Sequence, residues 1–286
     1  MPTFPKSLFI GAETAYEDAT FVILGVPYDG TTSFRPGTRF GPDAIRALSY
    51  NFESYLPDLE VDLADVPLAD IGDVAPAALP DAVVGQVAEE IGVIPRDGKC
   101  PVMLGGEHSI TIGAVQAARP ECFVVCDAHL DLRAEFGGTP CSHACTTRRV
   151  YDEVTRDVFV IGARSGTREQ YDYADRLRII TADEVFERGI GVICREIADA
   201  IGGRTTYLSI DADAIDCCLT PGLGTPEPLG LTPRDIRSVI RTVAPSSMAF
   251  DYVEVCPSDA GQAATVGAYM VREFIAAKWK AMNGQR

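Results

Sequence analysis

Asp127, His129 and Asp131 sit two residues apart in one short stretch, and nothing in core packing asks for them there. Charged groups are rarely buried without a partner. The apolar residues 122–125 just before predict a buried strand. If the extended conformation continues, the three side chains share one side of the chain, because side chains alternate with period two. Two carboxylates and an imidazole on one side suit a divalent cation. Asp211 and Asp213, again two apart, close an apolar run at 206–210, and His108 follows another at 101–104. In parallel α/β sheets, sites form outside the carboxyl ends of strands. These residues and Glu254, at the end of the alternating segment 247–255, all fall there. The histidines of the chain are 108, 129 and 143, each in such a strand-end loop. A lone histidine is more often structural; all of them beside aspartate clusters point to metal.

Charge decides the metal count. Asp127, Asp131, Asp211 and Asp213 together carry −4, so one divalent ion leaves −2 crowded together and two ions balance it. Oxygen-rich ligation with some imidazole suits Mn²⁺ better than Zn²⁺, which prefers tetrahedral N/S sites. Two ions about 3.5–4 Å apart can share a water and lower its pKa toward neutrality. The chemistry is then hydrolysis without a serine or cysteine nucleophile. A dinuclear phosphoesterase is the competing metal hydrolase, but it usually draws on more histidines and on arginines aimed at phosphate.

The elements that must position these groups alternate. Strands are predicted at 21–26, 101–104, 122–126, 158–162, 177–180, 206–210 and 247–255, with a possible edge strand at 66–71. Helices are predicted at 80–94, from near Ser109, at 182–201 with a break at 189–191, and at about 262–281. Thr232, Pro233 and Asp235 supply an N-cap, a first-turn proline and an acidic first turn for a helix over 233–243. The Gly/Pro-rich loop up to Pro42 is long for a strand-to-helix connection, which suggests function or an interface. No repeat, low-complexity tract or linker is evident, so residues 1–286 read as one α/β domain with a mostly parallel sheet.

The chain of 286 residues carries 41 acids against 25 bases, a net charge of −16. That argues against nucleic acid or an anionic membrane as partner and fits a cationic substrate or simply a solvated acidic surface. No apolar run approaches the roughly 20 residues of a membrane span. The segment Met1–Lys6 lacks the layout of a signal peptide, so a cytoplasmic location is expected. The nine cysteines are scattered without zinc spacing and read mostly as small buried hydrophobes.

With these residues in place, Gly105-Gly106-Glu107-His108-Ser109-Ile110, Asp127-Ala128-His129-Leu130-Asp131 and residues 209–216 resemble the signature motifs of the ureohydrolases, the arginase/agmatinase family. Residues 35–42, 142–149 and 251–255 are similar to that family as well. The resemblance implies a three-layer αβα fold with a mainly parallel sheet of about eight strands, two Mn²⁺ per subunit, and a homotrimer or homohexamer. It implies that His108, Asp127, Asp131 and Asp211 hold one ion and Asp127, His129, Asp211 and Asp213 the other. It further implies hydrolysis of a guanidino group to urea and an amine. On the same resemblance Asp131 would orient the nucleophile, Glu254 would hold the guanidinium, and His143 would pass a proton to the leaving amine with an ordinary imidazole pKa.

The loop 132–142 lacks the Asn- and Ser-rich layout with which arginases grip an α-amino acid, and looks agmatinase-like. The expected substrate is agmatine, yielding putrescine for polyamine biosynthesis, with Glu135 able to meet its ammonium. Another guanidino compound, such as guanidinobutyrate or arginine, is the alternative, and Arg133 lining the outer pocket would favour a guanidino acid. A non-catalytic scaffold of the same fold is the third reading. Cys217 and Cys218 stand where the family commonly has proline, and Leu223 and Leu229 where small residues are usual. These departures bear on the pocket wall, and a redox role for the two cysteines competes with plain loop packing.

Overall fold

Apolar runs bounded by Gly and Pro produce a sheet whose inner strands are buried on both faces, as parallel strands covered by helices must be, while the two edge strands are partly exposed. The structure, a computed structural model, describes residues 8–284; Met1–Lys6 lie outside them. In chain order the strands are β1 (Phe21–Val26), a short hairpin of β2 (Tyr55–Leu56) and β3 (Val61–Asp62), β4 (Leu68–Asp73), β5 (Cys100–Gly105), β6 (Cys122–Cys126), β7 (Val158–Ala163), β8 (Arg178–Thr181), β9 (Thr206–Asp211) and β10 (Ser247–Val253). The α-helices are α1 (Gly41–Ser49), α2 (Pro80–Arg96), α3 (Ile110–Ala118), α4 (Thr146–Glu153), α5 (Arg168–Ala174), α6 (Ala182–Arg188), α7 (Ile190–Ile201), α8 (Pro233–Val243) and α9 (Gln262–Asn283).

The main sheet has eight strands in the order β4-β1-β5-β10-β9-β6-β7-β8, every neighbouring pair parallel. Period-two alternation sorts its side chains into two cores. Phe21, Ile23, Val124 and Leu208 pack with Ile45 of α1, Val185 of α6, Ile197 of α7, Ile236 of α8 and Phe274 of α9. Leu24, Val26, Phe123 and Tyr207 pack with Val87 of α2, Ile110 of α3 and Val150 of α4. The result is the expected three-layer αβα arrangement. Among the described residues no helix is long and apolar enough to cross a membrane.

The edge strand expected at 66–71 lies at Leu68–Asp73 and does end the sheet. The break in the 182–201 helix is Gly189, at φ 80°, between α6 and α7. Helix α5 is absent from the sequence expectations, although Thr167 and Gln170 form a capping box that signals its start. A larger difference concerns the focal stretch. The strand ends at Cys126 instead of running on, and Asp131 takes a left-handed φ of 50°. An extended chain would separate Asp127 from Asp131 by about 13 Å, at roughly 3.3 Å per residue, too far to share an ion. The bend, not the alternation, brings them together.

From β5 the chain passes to β6 across the two sheet positions that β10 and β9 fill later. Strand-end loops on either side of such a switch diverge and leave a crevice. On the rim of the sheet, Arg46 of α1 is 1% exposed and is held by Asp70 at 2.8 and 2.9 Å, Asp73 at 2.5 Å and the Gly72 carbonyl at 3.0 Å. This cluster locks α1 to the edge strand β4. Replacing Arg46 by Ala takes from the buried Asp70 carboxylate the guanidinium that pairs it, and chemical denaturation should show a loss of about 3–5 kcal/mol.

Candidate active site

Four adjacent central strands, β5, β10, β9 and β6, deliver the polar residues. The turn after β5 carries His108 and depends on Gly106, where an added Cβ would lie 1.9 Å from the Tyr28 carbonyl oxygen. That close approach fastens the loop after β1 against the turn. Just past β10, Glu254 adopts φ 63°, and its Oε1 accepts the His108 backbone N–H at 2.8 Å. Glu254 and Asp131 are thus both non-glycine residues in left-handed conformations. Such backbone persists only where surrounding structure over-determines it.

The geometry divides into two groups that share one residue. His108 Nδ1 lies 3.2 Å from Asp127 Oδ2, 3.2 Å from Asp131 Oδ2 and 3.3 Å from Asp211 Oδ2. His129 Nδ1 lies 3.0 Å from Asp213 Oδ2 and 3.6 Å from Asp127 Oδ1. Asp127 therefore turns one carboxylate oxygen to each histidine. His108 Nδ1 and Asp127 Oδ2 are fully buried and make no hydrogen bond, although they sit so close. Buried polar atoms rarely go unpaired. Two that converge without bonding to each other are what a cation between them requires. The groups His108/Asp127/Asp131 and Asp127/His129/Asp213 each have donor atoms close enough to hold one ion. Asp211 reaches the first group, and its Oδ1 is occupied by the Asp213 backbone N–H at 2.8 Å.

Electrostatics agree with this fit. Burial and the neighbouring Asp213 and Asp127 push the Asp211 carboxyl well above its usual range. Burial and Glu107 do the same to Glu254, and burial with Asp127 lifts Asp131 to about 6. Burial opposes the charge of His108 and His129, but the surrounding aspartates outweigh it and raise both. Asp213 is held low against burial by its pairing with His129. In the metal-free protein, protons on the imidazoles balance the carboxylates; a divalent cation would replace them.

Several supporting residues have no role in the sequence reading above, although Ser209 and Asp251 fall within the family-like segments 209–216 and 251–255. His108 Nε2 lies 3.1 Å from Ser209 Oγ, which donates at 2.5 Å to Asp251 Oδ1. Asp251 also accepts from Thr111 Oγ1 at 2.8 Å and the Tyr207 hydroxyl at 2.7 Å. Since Ser209 spends its proton on Asp251, it accepts from His108 Nε2–H, which leaves Nδ1 to carry the added proton in the metal-free protein or to offer its lone pair to a cation among the carboxylates. A fully buried aspartate in the middle of the apolar strand β10 was the signal available. Thr225 Oγ1 donates to Asp213 Oδ2 at 3.1 Å, and the Ala128 N–H donates to Asp213 Oδ1 at 3.1 Å.

A cleft of about 290 Å³ opens above this cluster, with His129, Asp131, Arg133, Phe136, His143 and Gln170 in its wall. His143 is close to Thr31 and edge-on to the Phe136 ring, 5.7 Å between centroids. Its expected ordinary pKa does not hold: burial, then the positive His129 and His108, push it down to about 4. Arg133 lines the cleft and lies 5.1 Å over Phe136. Glu135 is exposed on the same loop, outside the cleft wall. Leu223 is fully buried against Val255, Leu229 is 78% exposed, and neither lines the cleft. Cys217 and Cys218 lie outside the wall too. The Asp216 carboxylate pushes the Cys218 thiol up, the opposite of an activated thiolate.

The Arginase family model matches residues 19–277. The chain belongs to the arginase family. It is 38% identical, over 86% of its length and 85% of the relative's, to the N(1)-aminopropylagmatine ureohydrolase of Thermococcus kodakarensis. It is also 38% identical to the agmatinase of Pyrococcus horikoshii, over 88% of this chain and 89% of that one. The solved agmatine ureohydrolase of Thermoplasma volcanium superposes with a TM-score of 0.94 at 35% identity, covering 99% of this chain and 98% of that structure. The protein is thus an agmatinase-like ureohydrolase, an enzyme of a metal-dependent hydrolase family, and the His/Asp cluster is where a metal fits.

Because His108 and His129 are raised, metal entry at neutral pH must expel protons. Calorimetric titration of the metal-free ureohydrolase with Mn²⁺ in buffers of different ionisation enthalpy should show more than one proton released per chain. Affinity should fall as pH drops through about 6, where Asp131 takes up its own proton. An affinity independent of pH between 5 and 8 would contradict the ligand set.

Proposed function

We propose that this ureohydrolase hydrolyses agmatine to putrescine and urea at a centre of two Mn²⁺ ions, and serves polyamine biosynthesis in the cytoplasm as a homotrimer or homohexamer. The observation that carries the two-metal reading is Asp127, whose Oδ2 faces His108 and whose Oδ1 faces His129. His108, Asp127, Asp131 and Asp211 would hold one ion, and Asp127, His129 and Asp213 the other, to which the family resemblance adds Asp211 as a second shared ligand. When bound, the pair supplies neutralising charge and a water acidified toward neutral pH.

The chain's own residues do the rest. Glu254, fixed by the His108 N–H, presents a carboxylate that binds the guanidinium by charge-assisted hydrogen bonds. The buried aspartates around it exclude bulk water and strengthen that attraction. Asp131 accepts a proton from the attacking water and holds it in line with the guanidinium carbon. His143, at the cleft wall, donates a proton to the departing amine. Its low pKa makes it a strong acid once protonated, so the proton is passed on as soon as it is received. The names of the relatives support a guanidino substrate of the agmatine type.

A second reading has its own observation. Arg133 in the cleft wall offers a guanidinium to a carboxylate tail, which favours an ω-guanidino acid, while Glu135 stands outside the wall. A substrate panel separates the two. Purified, Mn²⁺-loaded protein should release urea from agmatine; preference for guanidinobutyrate would establish the second reading, and no urea from agmatine, arginine, guanidinobutyrate or guanidinopropionate would remove both. Asp127→Asn and Asp211→Asn should each lose metal together with turnover, by at least about 100-fold in kcat. Two metals per chain retained in either variant, read by elemental analysis, would count against shared ligation.

A further inference from the structure

Glu107 has no part in the ligand set, yet it is fully buried beside His108. Its Oε2 accepts the Thr31 backbone N–H at 2.7 Å, and its Oε1 accepts from Ser109 Oγ at 2.5 Å and Thr31 Oγ1 at 2.5 Å. Thr31 in turn touches His143 twice. Its Oγ1 accepts the His143 backbone N–H at 3.1 Å and lies 3.1 Å from His143 Nδ1. Glu107, on the turn after β5, and His143, on the loop before α4, are thus joined through one hydroxyl of the loop after β1.

We propose that Thr31 and Glu107 are positioning residues that decide which ring nitrogen of His143 carries the proton. A hydroxyl has one proton and two lone pairs. Thr31 spends its proton on the Glu107 carboxylate, the shorter and charge-assisted bond. Toward His143 it can then only accept, and its two lone pairs take the backbone N–H and an N–H at Nδ1. Ser142 Oγ, 3.4 Å from the same nitrogen, can accept there as well. The neutral ring therefore carries its proton on Nδ1, and Nε2 keeps the lone pair. In a ring with Nδ1 engaged by the loop, Nε2 is the nitrogen left for the cleft. It can accept a proton and pass it to an amine, whereas the opposite tautomer would have Nε2 already filled. The inference rests on the reading of His143 as the proton-handling group.

Thr31→Val removes the hydroxyl at nearly constant volume, and Thr31→Ser keeps it. Thr31→Val should lower kcat about 10–100-fold, no more than the low end of the roughly 10²–10⁴-fold that general acid–base assistance supplies, with KM and metal content little changed, and Thr31→Ser should restore most of the loss. In a His143→Asn background the valine should cost nothing further, because the two act as one unit. A loss of the same size in that background, or no recovery with serine, overturns the proposal. Solid-state NMR of protein with ¹³C,¹⁵N-labelled histidine, loaded with a diamagnetic divalent ion, reads the tautomer without turnover; His143→Asn assigns its signal. The wild type should show His143 protonated at Nδ1, with a mixture of tautomers in Thr31→Val and in Glu107→Gln, whose neutral acceptor is weaker. A wild-type His143 protonated at Nε2 overturns the proposal whatever the activity. Failure of the wild type to release urea from any guanidino compound would instead remove the reading of the reaction and leave the tautomer assignment standing.

Discussion

Asp127, Asp131, Asp211, Asp213 and Glu254 are all buried at or just past the ends of three adjacent strands, β6, β9 and β10, and their mutual repulsion is the constraint that the rest of the structure answers. Removing a carboxylate from water without a partner costs several kcal/mol even after relaxation, and like charges side by side add to it. Imidazoles alone meet this by carrying protons they would not hold in water. A rigid frame must then keep the carboxylates from moving apart. Strands buried on both faces and paired on both sides supply that frame, and the bends that finish the site lie just beyond them.

Those bends are where backbone strain appears. Asp131 and Glu254 occupy the left-handed region, at φ 50° and 63°, although neither is glycine. Hydrogen bonds hold both segments in place. The Asp131 carbonyl accepts the Arg148 N–H at 3.1 Å, and the Glu254 N–H donates to the Gly106 carbonyl at 2.8 Å. Further out, Asp251 anchors three hydroxyls, one of which orients His108. The same logic recurs on the opposite side of the cleft, where Glu107 holds Thr31 and Thr31 meets His143. Buried carboxylates that take no ion thus orient the groups beside them.

The substrate end of the cleft is built differently. Its wall comes from loops, and its charge beyond the aspartate cluster comes from Arg133 stacked near Phe136. Loops tolerate substitution more readily than strands buried on both faces, so differences among guanidino substrates are expected to be written there. Cys217, Cys218, Leu223 and Leu229, expected from the sequence to bear on the pocket wall, stand outside it.

Much of this was legible in the chain alone. Burial on both faces makes a parallel strand an unbroken apolar run, so β1, β6 and β9 could be read nearly to the residue, and Thr232-Pro233 announced α8. Residue type and strand-end position also picked out His108, Asp127, His129, Asp131, Asp211, Asp213, His143 and Glu254, because acids and imidazoles crowded after buried strands are costly to keep unless a cation or substrate meets them. Tertiary structure alone decided how they meet. The bend after Cys126 replaces the expected alternation, Asp127 divides its two oxygens between the histidines, and Glu135 falls outside the cleft while Arg133 lines it. It alone also brought Ser209, Asp251, Thr31 and Glu107 beside the histidines they orient. Period and composition report what each segment buries; which hydroxyl accepts from which ring nitrogen depends on contacts between residues far apart in the chain, and only the folded packing sets those.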